Sequence, residues 1–188
     1  MLQWKPYKKI GLFFCAFMFE NLKKRALQKH TEKNIKNRDT SQINSKMKTL
    51  GFLVDEMIFQ DLEKLHDFSK IFGLQPKDVK VFSFMEVKKK LPTLQQNQIN
   101  NKDFNWKGEI QNQNAREFLE RDFDVLVGSY NGKHRFLDLL VSESKAKFKV
   151  GFKDADPRLY DLLIAVSTND LPTFIAELKK YITLLNKV

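Results

Sequence analysis

A chain of 188 residues with 42% hydrophobic residues, 17 Phe and only 7 Gly can bury one substantial core, which excludes a solenoid, a collagenous chain and a wholly disordered one. The formal charge of +10 sits at one end: residues 1–48 carry 12 Lys+Arg against 3 Asp+Glu, and 49–188 carry 21 against 20. Any electrostatic argument about a partner therefore concerns the first 48 residues.

Lys5, Lys8 and Lys9 precede an apolar run from Ile10 to Phe19, the layout of the first two regions of a signal peptide. No small-x-small cleavage site follows, because Glu20 to Arg25 is rich in charge, and the run is far shorter than the ~20 residues that span a bilayer. Two other readings stand beside it. Translation starting at Met18 removes three lysines and lowers the charge from +10 to +7. Alternatively, the run is an interfacial anchor, with its aromatic residues in the headgroup layer and its lysines toward anionic lipid. The lone Cys15 can form no internal disulfide and lacks companions for a zinc site, which fits a cytoplasmic protein. From Asn34 to Lys48 the sequence is polar without a sustained period, the pattern of a linker or loosely held segment. Residues 1–48 thus read as a basic N-terminal arm, and 49–188 as a single α/β domain.

Leu50-Gly51-Phe52-Leu53-Val54 predicts a first strand buried on both faces. Asp55 and Glu56 end it and open a helix in which Ile58, Leu62, Leu65, Phe68 or Ser69 and Phe72 keep the helical period, closed by Gly73. Val79 to Met85 predicts a second strand. Glu86 to Gln113 is dense in Lys, Gln and Asn, a long excursion with one short strand near Phe104 to Ile110. Asn114, with Glu117 three residues on, is the expected cap of a short helix. Phe123 to Tyr130 predicts the next strand, followed by an Asn131-Gly132 turn and a helix over Lys133 to Ala146. Phe148 to Phe152 alternates like a strand with one wet face near a sheet edge, and Leu159 to Val166 predicts another strand. The closing helix, capped by Asn169 or Asp170, aligns Leu171, Phe174, Ile175, Leu178, Tyr181, Ile182 and Leu185 in one stripe. This alternation is that of an α/β three-layer sandwich with a mostly parallel, Rossmann-like sheet.

In such a sheet ligands bind beyond the carboxyl ends of the strands. Those ends would gather Asp55, Ser83, Ser129, Asn131, His134, Asp154 and Thr168, a polar rim that ordinary turns of this fold class also produce. Specific chemistries lack their residues. No Gly-rich turn follows the first strand, where Asp55 and Glu56 would repel phosphate. Gly128-Ser129-Tyr130-Asn131-Gly132 is the nearest approach to a phosphate cradle. There is no G-x-S-x-G elbow, and His30, His66 and His134 lack metal-ligand spacing. His134 near Ser129 is the one pair with chemistry to test, while Asp154 and Asp156 read as a solvated turn. No catalytic residue, metal or cofactor is assigned.

In the arm, Lys23, Lys24, Arg25, Lys29, Lys33, Lys36 and Arg38 are the candidates to sit on nucleic-acid phosphates or an anionic membrane face, with steep salt dependence. A solvated basic helix that keeps the protein soluble reads from the same residues. Six of the 33 basic residues are Arg, so the bidentate forks that read base edges are scarce. No aromatic residue interleaves the arm after Phe19, which leaves base stacking without a platform.

Thr49 to Asp55, Phe123 to Val127, Ser144 to Phe152 and the closing Glu177-Leu178-Lys179-Lys180-Tyr181 segment resemble a family of short uncharacterised bacterial proteins, a domain of unknown function, over Met18 to Val188. That resemblance implies no activity and no site residues. More weakly, Phe123 to Phe152 is similar to one half of heptosyltransferase-like glycosyltransferases. Those enzymes hold the sugar nucleotide with a second Rossmann-like domain, for which 188 residues leave no room, so the likeness implies a shared fold or a degenerate half. The sequence points to a non-enzymatic binding or interaction protein, cytoplasmic or peripheral to the membrane, whose basic arm touches an anionic partner. The alternative is a degenerate glycosyltransferase-like or other small-ligand-binding α/β domain that uses the rim.

Overall fold

The computed structural model describes residues 7–59, 61–88 and 96–187, without the side chains of 7–17, Glu63 and His66. The readings set on the side chains of Lys5, Lys8, Lys9, Cys15 and His66 lie outside the described residues. Six strands, β1 (Leu50–Asp55), β2 (Val79–Met85), β3 (Gln98–Asn100), β4 (Val125–Ser129), β5 (Phe148–Phe152) and β6 (Leu162–Ile164), form one sheet in the order β3-β2-β1-β4-β5-β6. Every pairing is parallel, in agreement with the α/β class read from the sequence.

A parallel sheet must be covered on both faces, so alternation along each strand feeds two cores. Leu50, Phe52 and Val54 of β1 join Val125, Val127 and Val150 on one face. That face is closed by α2 (Glu63–His66), α3 (Phe68–Ile71) and α6 (Leu171–Leu184) through Phe68, Phe174 and Leu178. Leu53, Phe82 and Leu126 turn to the other face, where α1 (Tyr7–Lys36), α4 (Gln113–Leu119) and α5 (Arg135–Glu143) contribute Leu27, Phe118 and Leu140. Gly128 and Gly151 are opposite each other on β4 and β5 and let the Tyr160 ring lie against the sheet. A Cβ on Gly151 would stand 2.9 Å from Tyr160 Cζ, inside any real contact.

Several local expectations change. Asp55 and Glu56 open no helix: Asp55 Oδ1 accepts the Met57 N–H at 3.0 Å in a turn, and the helical period is realised as the two single turns α2 and α3. Gly73 does close α3, at φ +68°, with the Leu74 N–H on the Ser69 carbonyl at 2.7 Å. The excursion contains β3, whereas Phe104 and Ile110 make only an isolated antiparallel bridge. Asn112, not Asn114, caps α4, its Oδ1 accepting the Ala115 N–H at 3.0 Å. β5 is no edge, because β6 pairs outside it and all five residues are buried. Lys149, the residue assigned to its wet face, is 1% exposed and donates from Nζ to the Val141 carbonyl at 2.6 Å. Burial, helped by nearby Arg38 and opposed by Asp161, pushes that ammonium down to about 7.

The segment 34–48 is not loosely held. α1 continues to Lys36, and Asn34 donates to Ser142 Oγ at 3.1 Å. Arg38 reaches both Asp161 oxygens, at 3.0 and 2.5 Å. Buried Met47 gives its N–H to the Lys187 carbonyl, and Lys187 Nζ returns to the carbonyls of Ile43 and Ser45. These partners lie more than a hundred residues away, which is why local composition does not reveal them.

Candidate functional site

The strand order reverses between β1 and β4, the place where open α/β sheets bind ligands. Asp55 ends β1 there and Ser129 ends β4. Several rim residues are bonded to one another or to their neighbours. Glu56 Oε1 accepts Ser83 Oγ at 2.5 Å and Gln98 Nε2 at 2.6 Å, and Thr168 Oγ1 donates to Asn131 Oδ1. His134 is the N-cap of α5: its Nδ1 accepts the Leu137 N–H at 3.1 Å, and its ring meets Phe84 edge-on with centroids 4.9 Å apart. Burial lowers the His134 pKa, against the opposing pull of Asp55 and Glu86. Behind it, Asp138 accepts Tyr130 Oη at 2.8 Å and the His134 N–H at 3.1 Å, and Tyr160 Oη donates to Tyr130 Oη at 2.7 Å. Burial outweighs these bonds and raises Asp138 to about 6.

The rim is therefore one region, but His134 and Ser129 do not form a pair. Alternation puts Ser129 on the face of Val125 and Val127, whereas His134 packs against Phe84 and Tyr130 on the other. The buried Ser129 hydroxyl has no hydrogen-bond partner among the described residues. Asp154 is exposed in the turn after β5. The Tyr130–Asp138–Tyr160 network was invisible in the sequence because Tyr130 and Tyr160 stand 30 residues apart. An open apolar groove of about 920 Å³ lies between α3 and α6, lined by Phe59, Phe68, Ile71 and Ile175 among others, and the sequence reading does not find it.

On the opposite face from that groove, α1 divides its cations. Its inner side is anchored by fully buried Leu27, and Thr31, also buried there, donates within the helix to the Leu27 carbonyl at 3.0 Å. Lys23 belongs to this side: Nζ donates to the Asn101 carbonyl at 2.6 Å and stands 5.4 Å from the centre of the Phe136 ring. Burial lowers its pKa. Arg38, tied to Asp161, is likewise committed. Lys24, Arg25, Lys29, Lys33 and Lys36 are exposed. Arg25, Lys29, Lys33 and Lys36 recur at helical spacing on the side opposite Leu27, along about 16 Å of helix. Glu32 borders that stripe and pairs with Arg158 at 3.0 Å. Of the seven candidate cations, then, two are structural and four share one outward face. No helix among the described residues is long and apolar enough to cross a membrane.

One family model, described as a family of unknown function (DUF6913), matches residues 23–185. No curated protein and no solved structure matches the chain.

Proposed function

The chain belongs to the DUF6913 family, and from that premise we propose that it is a non-enzymatic binding protein that holds an anionic partner on the outward face of α1. The observation that carries this reading is the stripe Arg25, Lys29, Lys33, Lys36, exposed on a helix whose opposite side is locked to the body through Lys23, Leu27 and Asn34. Four cations carried in one line by a helix already held against the body present a positive field without the backbone having to be ordered on binding. The remainder of the chain beyond residue 48 is nearly neutral, and Asp55, Ser83, Asn131, His134 and Thr168 of the rim are hydrogen-bonded within the body.

Retention on an immobilised polyanion tests this. Replacing Arg25, Lys29, Lys33 and Lys36 with Gln should abolish most of the retention and its salt dependence. Replacing the exposed Lys77, Lys88, Lys107 and Lys153 with Gln removes the same charge elsewhere and should cost little. Equal losses in the two variants would mean that net charge, not the stripe, does the binding.

The alternative, a degenerate glycosyltransferase-like or other small-ligand-binding domain, has one observation behind it, the unpartnered Ser129 hydroxyl beside the reversal of strand order. A melting-point rise with a sugar nucleotide that Ser129→Ala removes would favour it over the basic face.

A further inference from the structure

α1 is 30 residues long, about 45 Å, and the first of its side chains described as hydrogen-bonding the body is Lys23, at the level of Asn101. About 24 Å of helix precedes that point. Met18, Leu22, Arg25, Lys29 and Lys36 fall on one line along the helix, spaced by one or two turns. The head of that line is apolar and open to solvent, with Met18 and Leu22 exposed by 53% and 43% and the adjacent Phe19 by 49%. Its tail is the basic stripe. Before Met18 the sequence from Ile10 to Phe17 carries no charge, and Lys8-Lys9 precede it.

We infer that the anionic partner is a lipid bilayer surface, with the apolar head of α1 lying in the headgroup layer and the basic tail on the lipid phosphates; this rests on the basic-face reading. A short uncharged helical stretch flanked by lysines, continuous with a cationic face, has the composition of an interfacial helix rather than a spanning one. A nucleic acid would engage the cations but has no use for the apolar head, and no aromatic residue lies between Arg25 and Lys36 to stack a base.

The test uses the full chain labelled at its single cysteine, Cys15, with a polarity-sensitive dye. It is mixed with phosphatidylcholine vesicles, with vesicles containing about 30% phosphatidylglycerol, or with mixed-sequence RNA. Flotation with the anionic vesicles, and a blue shift of the dye there but not on neutral vesicles, is the expected result. The variant M18S/F19S/L22S, altered only at exposed side chains and checked for an unchanged circular dichroism spectrum, should lose about tenfold in flotation while keeping its polyanion retention. Undiminished flotation of that variant without a dye shift overturns the insertion. Capture of RNA but not of vesicles overturns the lipid inference and leaves the basic face standing. Binding of neither, or binding indifferent to R25Q/K29Q/K33Q/K36Q, overturns both.

Discussion

The reversal of strand order and the amino edge of the sheet treat their carboxylates in opposite ways, while beyond β5 at the carboxyl edge Asp156 pairs with Arg158 at 2.7 Å. Around the reversal between β1 and β4, at the carboxyl edge, the acids are met by neutral donors: Glu56 by Ser83 and Gln98, Asp138 by Tyr130 and the His134 N–H, Asp55 by the Met57 N–H. At the amino edge buried acids face cations. Asp161 holds Arg38 and Asp124 holds Lys147 at 2.7 Å, while Asp124 also accepts from the Lys48 and Thr49 N–H groups and from Thr49 Oγ1. Burial raises Asp138, whereas the bonds from Lys147, Lys48 and Thr49 overcome burial and lower Asp124. These amino-edge pairs join distant parts of the chain and are spent on the fold, whereas Arg25, Lys29, Lys33 and Lys36 on the outward face of α1 are exposed.

The amino edge should be the more costly to break. Asp161→Ala leaves the Arg38 guanidinium, with a side chain only 15% exposed, uncompensated, and also removes the acceptor of the Lys149 N–H. Urea unfolding should register a loss of about 3–5 kcal/mol. A loss below about 1 kcal/mol would put this pair in the class of weak surface bridges and erase the contrast. Lys149→Met sharpens it from the other side. The lysine is a buried ammonium whose Nζ is bonded only to a carbonyl in this structure, so a thioether of similar length should leave stability equal or raise it by about 1 kcal/mol at pH 6. A folded-state pKa lowered to about 7 means that the unfolded chain binds the extra proton above that pH. Wild-type stability should therefore climb from about pH 7 toward about pH 10, and the Met variant should lack that climb.

What could be read from the sequence follows from how far each determinant reaches. β1, β2 and β4 are legible because a strand covered on both faces is apolar throughout, and α6 because its stripe and its Asp170 cap are local. β3 is not, since three residues with Ile99 as their one apolar member leave no pattern. His134 is an uncommon helix cap, which hid the start of α5. The bonding within the rim is not legible, because Glu56 finds Gln98 at a separation of 42 residues. The same holds for the cations. Their concentration in the first 48 residues is plain from counting, yet Lys23 and Arg38 drop out of the exposed set only because Asn101 and Asp161, 78 and 123 residues away, take them.

The smallest effect is also the cleanest discriminator between the edges, because the two carboxylates must respond to pH with opposite sign. Asp138, raised to about 6 in the fold from an ordinary 3.8, contributes stability that is complete below about pH 4 and is lost as pH rises through 6. Asp124, held below its ordinary value, contributes stability that is present above about pH 4 and is lost on further acidification. Relative to wild type, Asp138→Asn should gain about 1 kcal/mol between about pH 4 and pH 7, with solvent screening of a partly exposed group limiting the size. Asp124→Asn should instead be destabilising at neutral pH and approach wild type only in acid. Urea midpoints at a series of pH values for the two variants check this. If the two curves run parallel, the carboxylates share one environment, and the bonding of Asp138 to neutral donors has no energetic consequence.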